Sequence, residues 1–152
     1  MSIRYLKNTA TQKEIFIFLS KCDKLFIPKL SQRVNIREYS QKLFENAVHF
    51  EAWDRDVLIG LISMYINSKN IIIGYISSVG VLSEYANNGI ASSLLTTCIK
   101  YSINKNLDNI QLEVNKKNFS ALSLYKKFKF KVYEESNNSL MKLNLSSELQ
   151  DV

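Results

Sequence analysis

A change of hydrophobic period at Gly89 constrains this chain most. Before it, residues 48–53, 57–66 and 71–81 form apolar, β-rich runs. The short polar turns 54–56 and 67–70 separate them. Turns of that length between such runs predict antiparallel hairpins. After Gly89, the apolar residues Ile90, Leu94, Leu95, Cys98, Ile99 and Ile103 recur at helical spacing. Ile110, Leu112 and Val114 then alternate as a strand. A strand followed by a helix and another strand calls for parallel pairing, because a crossover must return the chain to the same edge. The fold class is therefore α/β, with a mixed (α+β) sheet that has hairpins on one side and a crossover on the other.

The flanking segments extend this pattern. Residues 3–7 read as a short strand. Thr11, with Glu14 three residues on, forms the pattern of a capping box, and Ile15, Phe18, Leu19 and Cys22 follow at helical spacing. Pro28, the single proline, breaks the chain. A second helix is expected over residues 31–45, with Val34, Tyr39, Leu43 and Phe44 as its apolar positions. Residues 119–128 read as a short helix, 130–134 and 140–145 as closing strands, and the tail from Ser146 as frayed. The expected order is β-α-α-β-β-β-α-β-α-β-β. Residues 140–145 are expected at a sheet edge where two copies can pair, leaving monomer and homodimer both open.

A length of 152 residues fits one domain, 1–152, with a core of useful size. No apolar run approaches the roughly 18 residues that a spanning helix needs. The polar start lacks an apolar leader. These features predict a cytoplasmic protein without membrane association. Cys22 and Cys98 are far apart and read as free thiols. They and one histidine form no standard metal site, so no metal is expected. The formal charge of +6 would suit an anionic partner. The lysines are scattered, however, and no helix-turn-helix, zinc finger or aromatic stacking motif is present. A nucleic-acid partner is not expected.

Two segments carry chemistry. In Val79-Gly80-Val81-Leu82-Ser83-Glu84-Tyr85-Ala86-Asn87-Asn88-Gly89-Ile90-Ala91-Ser92, a strand runs through a turn into a helix. The first turn of a helix presents unpaired N–H groups and a partial positive charge, which suit a pyrophosphate. The second segment runs from Asn118-Phe119-Ser120-Ala121 to Leu124-Tyr125-Lys126-Lys127-Phe128-Lys129-Phe130. Asn118 and Tyr125 lie two helical turns apart, near one face. A tyrosine hydroxyl can act as a general acid.

These segments resemble the signature motifs of the Gcn5-related N-acetyltransferase (GNAT) family. The first is R/Q-x-x-G-x-G/A, with Gly89 and Ala91 matching and Ala86 standing where arginine or glutamine is usual. The second is N-x-x-A-x-x-L-Y-x-K-x-G-F, matched by Asn118, Ala121, Leu124, Tyr125, Lys127 and Phe130. Lys129 stands in the glycine position, where a positive φ is expected.

The resemblance implies an acyltransferase that uses acetyl-CoA. The strand ending at Val81 would splay from the one near Ile110 and admit the pantetheine arm. That arm would pair with backbone groups of Val79 and Val81, and a backbone N–H near Val79 would hold the thioester oxygen. Asn87, Asn88, Gly89, Ile90, Ala91 and Ser92 would bind the pyrophosphate, and Asn118 the pantetheine. Tyr125 would protonate the leaving sulfur. For the general base, Glu113 is the first candidate. It precedes Tyr125 by 12 residues, an offset that resembles family members acting on protein N-termini. A water relay at Ser77 and Ser78, and His49, are the alternatives.

The acceptor site is expected at the break between the first two helices, from Phe26, Ile27, Pro28, Arg33, Arg37 and Tyr39. Arg33 and Arg37 sit one helical turn apart and would hold a phosphate or carboxylate. The first expectation for the acceptor is the primary amine of a small molecule. A peptide N-terminus is the alternative, favoured by an exposed apolar groove. A non-catalytic acyl-CoA-binding module is a further alternative, allowed by Ala86.

Overall fold

The computed structural model describes residues 2–145. The elements are β1 (Ile3–Lys7), α1 (Gln12–Cys22), α2 (Ile36–Asn46), β2 (Val48–Asp54), β3 (Val57–Asn67), β4 (Ile73–Val81), α3 (Ile90–Asn104), β5 (Asn109–Asn115), α4 (Phe119–Lys127), β6 (Lys131–Glu135) and β7 (Asn138–Asn144). This is the expected order. The strands form one sheet, β1-β2-β3-β4-β5-β7-β6, in which only β4 and β5 are parallel.

The sheet order corrects one expectation. β7 lies between β5 and β6, so residues 140–144 are interior and the edges are β1 and β6. The tail from Ser146 lies outside the described residues.

Helices cover both faces. Gly60 and Gly80 show this, because their neighbours in register, Val81 and Leu61, put them on opposite faces. A β-carbon on Gly60 would meet Ile90 and Leu94 of α3 at 3.1 Å, whereas one on Gly80 would meet Phe18 of α1 at 3.4 Å. α1 thus lies on one face and α3 on the other. Phe18, Leu19, Phe50, Ile59, Leu61, Ile62, Leu94 and Leu95 form the core between them. Each contributes roughly 1.5–3 kcal/mol by leaving water.

The capping box forms as expected. Thr11 accepts from the Glu14 N–H, and the Glu14 carboxylate accepts from the Thr11 N–H. The second helix starts later than expected, at Ile36, because Asn35 caps it by accepting the Glu38 N–H at 3.0 Å. Residues 30–32 form a separate single 3-10 turn. In α3 the face also turns slightly from the expected one. Ser102 is buried and Ile103 exposed, with the Ser102 hydroxyl returned to the Cys98 carbonyl at 2.8 Å.

Candidate active site

The site begins where β4 and β5 part. They pair from Ile73 with Asn109 to Ile76 with Leu112 and no further. At Ser77 the register of β4 against β3 also slips, since Met64 faces Ile76 while Ser63 faces Ser78. Such an extra residue bends a strand and sharpens its twist. Beyond it, Ser77 to Val81 have no strand partner on the β5 side. The backbone N–H and C=O groups there are open to an extended ligand, as the expectation for Val79 and Val81 requires. The Tyr39 hydroxyl donates to the Ser77 carbonyl at 3.1 Å and also meets the Ser77 hydroxyl. α2 therefore holds the bulge from behind.

A cleft of about 620 Å³ fills the gap. Its floor at one end is the turn into α3. Asn87 (φ 64°) and Gly89 (φ 72°) both occupy the left-handed region. Glycine adopts it without strain and asparagine at small cost. A β-carbon on Gly89 would meet no atom within 4 Å, so this turn faces open space. The first helical bond of α3 is Ser93 N–H to Gly89 O, 3.0 Å. The preceding N–H groups of the helix are left for a ligand. No acidic side chain lies in that first turn. Asn88 is a brace for the turn. Its amide donates to the carbonyls of Tyr85 and Ala86, both at 3.1 Å. Asn87, Gly89, Ile90, Ala91 and Ser92 line the cleft, as does Ala86.

Tyr125, Asn118 and Glu113 also line the cleft. The Asn118 side chain caps α4, accepting the Ala121 N–H at 3.3 Å. Tyr125 is 6% exposed and rests against Phe130, ring centroids 5.8 Å apart. Its hydroxyl has no protein partner among the described residues. Burial holds its pKa well above the ordinary tyrosine range. Lys129 takes the positive φ expected of it, 75°. Glu113 accepts from the Asn138 amide across β5 and β7. By register, Tyr75 faces Gln111, two residues before Glu113. Tyr75 and Glu113 therefore share the sheet face that carries α1. Tyr75 and Asn138 escaped the sequence reading, because each lies far in sequence from the residue it serves.

The other candidate bases fit less well. The Ser77 hydroxyl is taken by Tyr39, and the Ser78 hydroxyl is buried without a partner. His49 is 3% exposed on β2, and its Nδ1 lies 2.9 Å from the Ser63 hydroxyl. It does not line the cleft. Cys22 and Cys98 are buried thiols, each pushed up to about 12 chiefly by burial, so neither supplies a thiolate at neutral pH.

At the far end, Leu25, Phe26, Ile27, Pro28 and Arg33 form the rim. The loop that carries them is tied by Asp23. Its carboxylate accepts the Ser31 N–H and hydroxyl, both at 2.7 Å. These bonds lower the Asp23 pKa. Arg33 and Arg37, expected to act together, are separated. Arg33 precedes α2 and lines the cleft, whereas Arg37 lies 4.5 Å over the Phe16 ring, away from it. The late start of α2 at Asn35 causes this. Among the described residues no cluster of His, Cys, Asp and Glu is placed to hold a metal, and no helix is long and apolar enough to cross a membrane.

Comparisons with known proteins follow the same lines. The acetyltransferase (GNAT) family matches residues 16–130. An N-alpha-acetyltransferase of Saccharolobus solfataricus is 42% identical over 59 residues, which are 38% of this chain and 35% of that protein. N-alpha-acetyltransferase 30 of Schizosaccharomyces pombe is 28% identical over 116 residues, 71% of this chain and 77% of that protein. A chain from the crystal structure of the NatC complex bound to Gag peptide and CoA is 25% identical. It superimposes with a TM-score of 0.75 over 96% of this chain and 100% of that one.

Proposed function

This chain belongs to the acetyltransferase (GNAT) family, and on that premise we propose that it transfers the acetyl group of acetyl-CoA to the α-amine of a peptide or protein N-terminus. One observation carries the choice of acceptor. Leu25, Phe26, Ile27 and Pro28 put apolar side chains on the cleft, and Leu25 and Ile27 remain 47% and 42% exposed. Such a surface suits a chain that continues past its reacting end, whereas a small polar amine would be better held in a closed polar pocket. The N-alpha-acetyltransferase names of the two relatives point the same way. The order of preference drawn from sequence, small amine first, is therefore reversed.

The cleft fits coenzyme A at both ends of its donor half. The unpaired backbone of β4 offers the pantetheine arm a strand to join. The turn at Asn87–Gly89 and the N-terminus of α3 offer N–H groups and positive potential to a pyrophosphate. Acetyl-CoA supplies the activated acyl group. The residues then divide the work. The Glu113 carboxylate takes a proton from the acceptor ammonium, so that the amine can attack the carbonyl carbon. A backbone N–H near Val79 donates to the carbonyl oxygen as negative charge gathers there. When the carbon–sulfur bond breaks, the Tyr125 hydroxyl gives its proton to sulfur, and the second proton lost by the attacking nitrogen passes through water to restore that hydroxyl. Burial keeps that hydroxyl protonated at neutral pH, and the same burial raises the proton affinity of a departing thiolate. Glu113 is exposed, so its proton passes to water.

The test is competition. A panel of peptides with free N-termini and a panel of polyamines, amino sugars and amino acids are offered with acetyl-CoA. Products are then located by mass spectrometry. The proposal expects acetyl on peptide α-amines. Acetylation confined to the small amines would overturn it.

A further inference from the structure

Two charged side chains line the cleft, Arg33 and Glu113. They have different surroundings. The Glu113 carboxylate is held by Asn138. The Arg33 guanidinium has no hydrogen bond or ion pair among the described residues. The ion pair found there is remote, between Lys116 and Glu135 at 3.3 Å. Around Arg33 the rim is apolar: Leu25, Phe26, Ile27 and Pro28. Tyr75 lines the same cleft and feels both charges. The field of Glu113 raises its pKa and that of Arg33 lowers it, although burial is the larger cause. The acceptor end is thus polar in one direction, with a carboxylate beside Tyr125 and a free cation toward the rim.

A ligand that matches this arrangement carries an ammonium and, a few bonds away, a carboxylate. Arg33 is exposed and unpaired among the described residues, so its guanidinium is open to a carboxylate. Its planar fork binds both oxygens, and it loses little hydration on doing so. The anionic part of coenzyme A is matched instead by the N–H groups at the N-terminus of α3. Asp23 forms no ion pair with Arg33 among the described residues; its carboxylate accepts from Ser31.

We propose that Arg33 is a specificity determinant that selects acceptor peptides with Asp or Glu within their first two residues. This rests on the peptide reading above. The α-ammonium would lie toward Glu113 and the acidic side chain would reach Arg33.

The experiment compares peptides that differ only by Ala, Asp or Glu at the first or second position. They are assayed with wild type, Arg33→Gln and Arg33→Lys at low and high salt. Wild type should prefer an acidic peptide about tenfold in kcat/KM, mainly through KM, the ratio that one charge-assisted contact supplies. Arg33→Gln should lose that preference by slowing on acidic peptides, and Arg33→Lys should keep part of it. In wild type the preference should narrow at high salt. A thermal melt checks that each variant is folded, and the wild-type salt series stands without them. Equal rates on neutral and acidic peptides in wild type, or a preference that survives Arg33→Gln, would overturn the role of Arg33. Turnover of small amines and of no peptide would instead overturn the reading on which it rests.

Discussion

On the donor side, from β4 to α4, the turns are set by residues close in sequence. Gly89 opens α3, Asn88 braces the turn from two and three residues away, and Asn118 caps α4 three residues ahead. On the acceptor side, the anchors span the chain. The Tyr39 hydroxyl reaches Ser77 across 38 residues, and Glu51 reaches the Thr9 amide across 42. The donor side needs backbone geometry, because what it offers a ligand is N–H groups and a strand edge. The acceptor side needs side chains held at fixed places. It therefore depends on polar bonds that bring distant segments together.

The comparison breaks most readily at the reacting centre. Glu113→Gln removes the proton acceptor while keeping the bond partner of Asn138. It should lower kcat by about a hundredfold and leave the thermal midpoint where it was. Steady-state thiol release and a melting curve check both. Unchanged kcat would move the base elsewhere.

The next effect concerns the anchor of α1, the helix that leads into the loop carrying Leu25 to Pro28. Glu51 is fully buried. One of its oxygens accepts the N–H groups of Thr9 and Ala10, both at 2.9 Å. The other accepts the Thr9 hydroxyl and Trp53 Nε1, the latter at 3.0 Å. In Glu51→Gln the amide NH2 must face either the two backbone N–H groups or the indole N–H of Trp53. A loss of about 2 kcal/mol is expected, read as a fall of roughly 4–8 °C in Tm. On the donor side no single side chain carries so many bonds.

Ala86→Arg sharpens the comparison from the donor side. It adds a side-chain contact where the turn now relies on backbone alone. Acetyl-CoA should bind about tenfold more tightly, as calorimetry would show. No gain would mean that the backbone groups already satisfy the phosphates.

The smallest effect is at His49. Burial lowers its pKa below the ordinary imidazole value of 6.5, so the folded protein favours the neutral ring. Below that value the unfolded chain binds a proton that the folded one resists. Stability therefore falls as pH drops from 7 toward 5. His49→Gln should flatten part of that fall in Tm, and an unaltered slope would remove His49 from the account.

These differences also explain what the sequence could and could not reveal. The period change at Gly89, the capping box at Thr11 and the alternation at Ile110, Leu112 and Val114 are local patterns, and each predicted its element. The turn at Asn87–Gly89 was readable for the same reason. The start of α2 was misjudged although Asn35 and Glu38 carry a capping signal, because the apolar spacing around them is weak. The separation of Arg33 from Arg37 follows from that one residue. The place of β7 inside the sheet was not readable, because strand order depends on pairing between distant segments. Tyr75 and Asn138 were missed because their roles exist only after β4, β5 and β7 are assembled.

The central claim is that the splay of β4 and β5 binds acetyl-CoA and that Tyr125 donates the proton to its sulfur. Calorimetry of acetyl-CoA binding, followed in the same samples by peptide-dependent thiol release, tests both parts in wild type and Tyr125→Phe. The account predicts binding by both proteins and turnover roughly a hundredfold lower in Tyr125→Phe. Failure of the wild type to bind acetyl-CoA, or undiminished turnover in Tyr125→Phe, would contradict it.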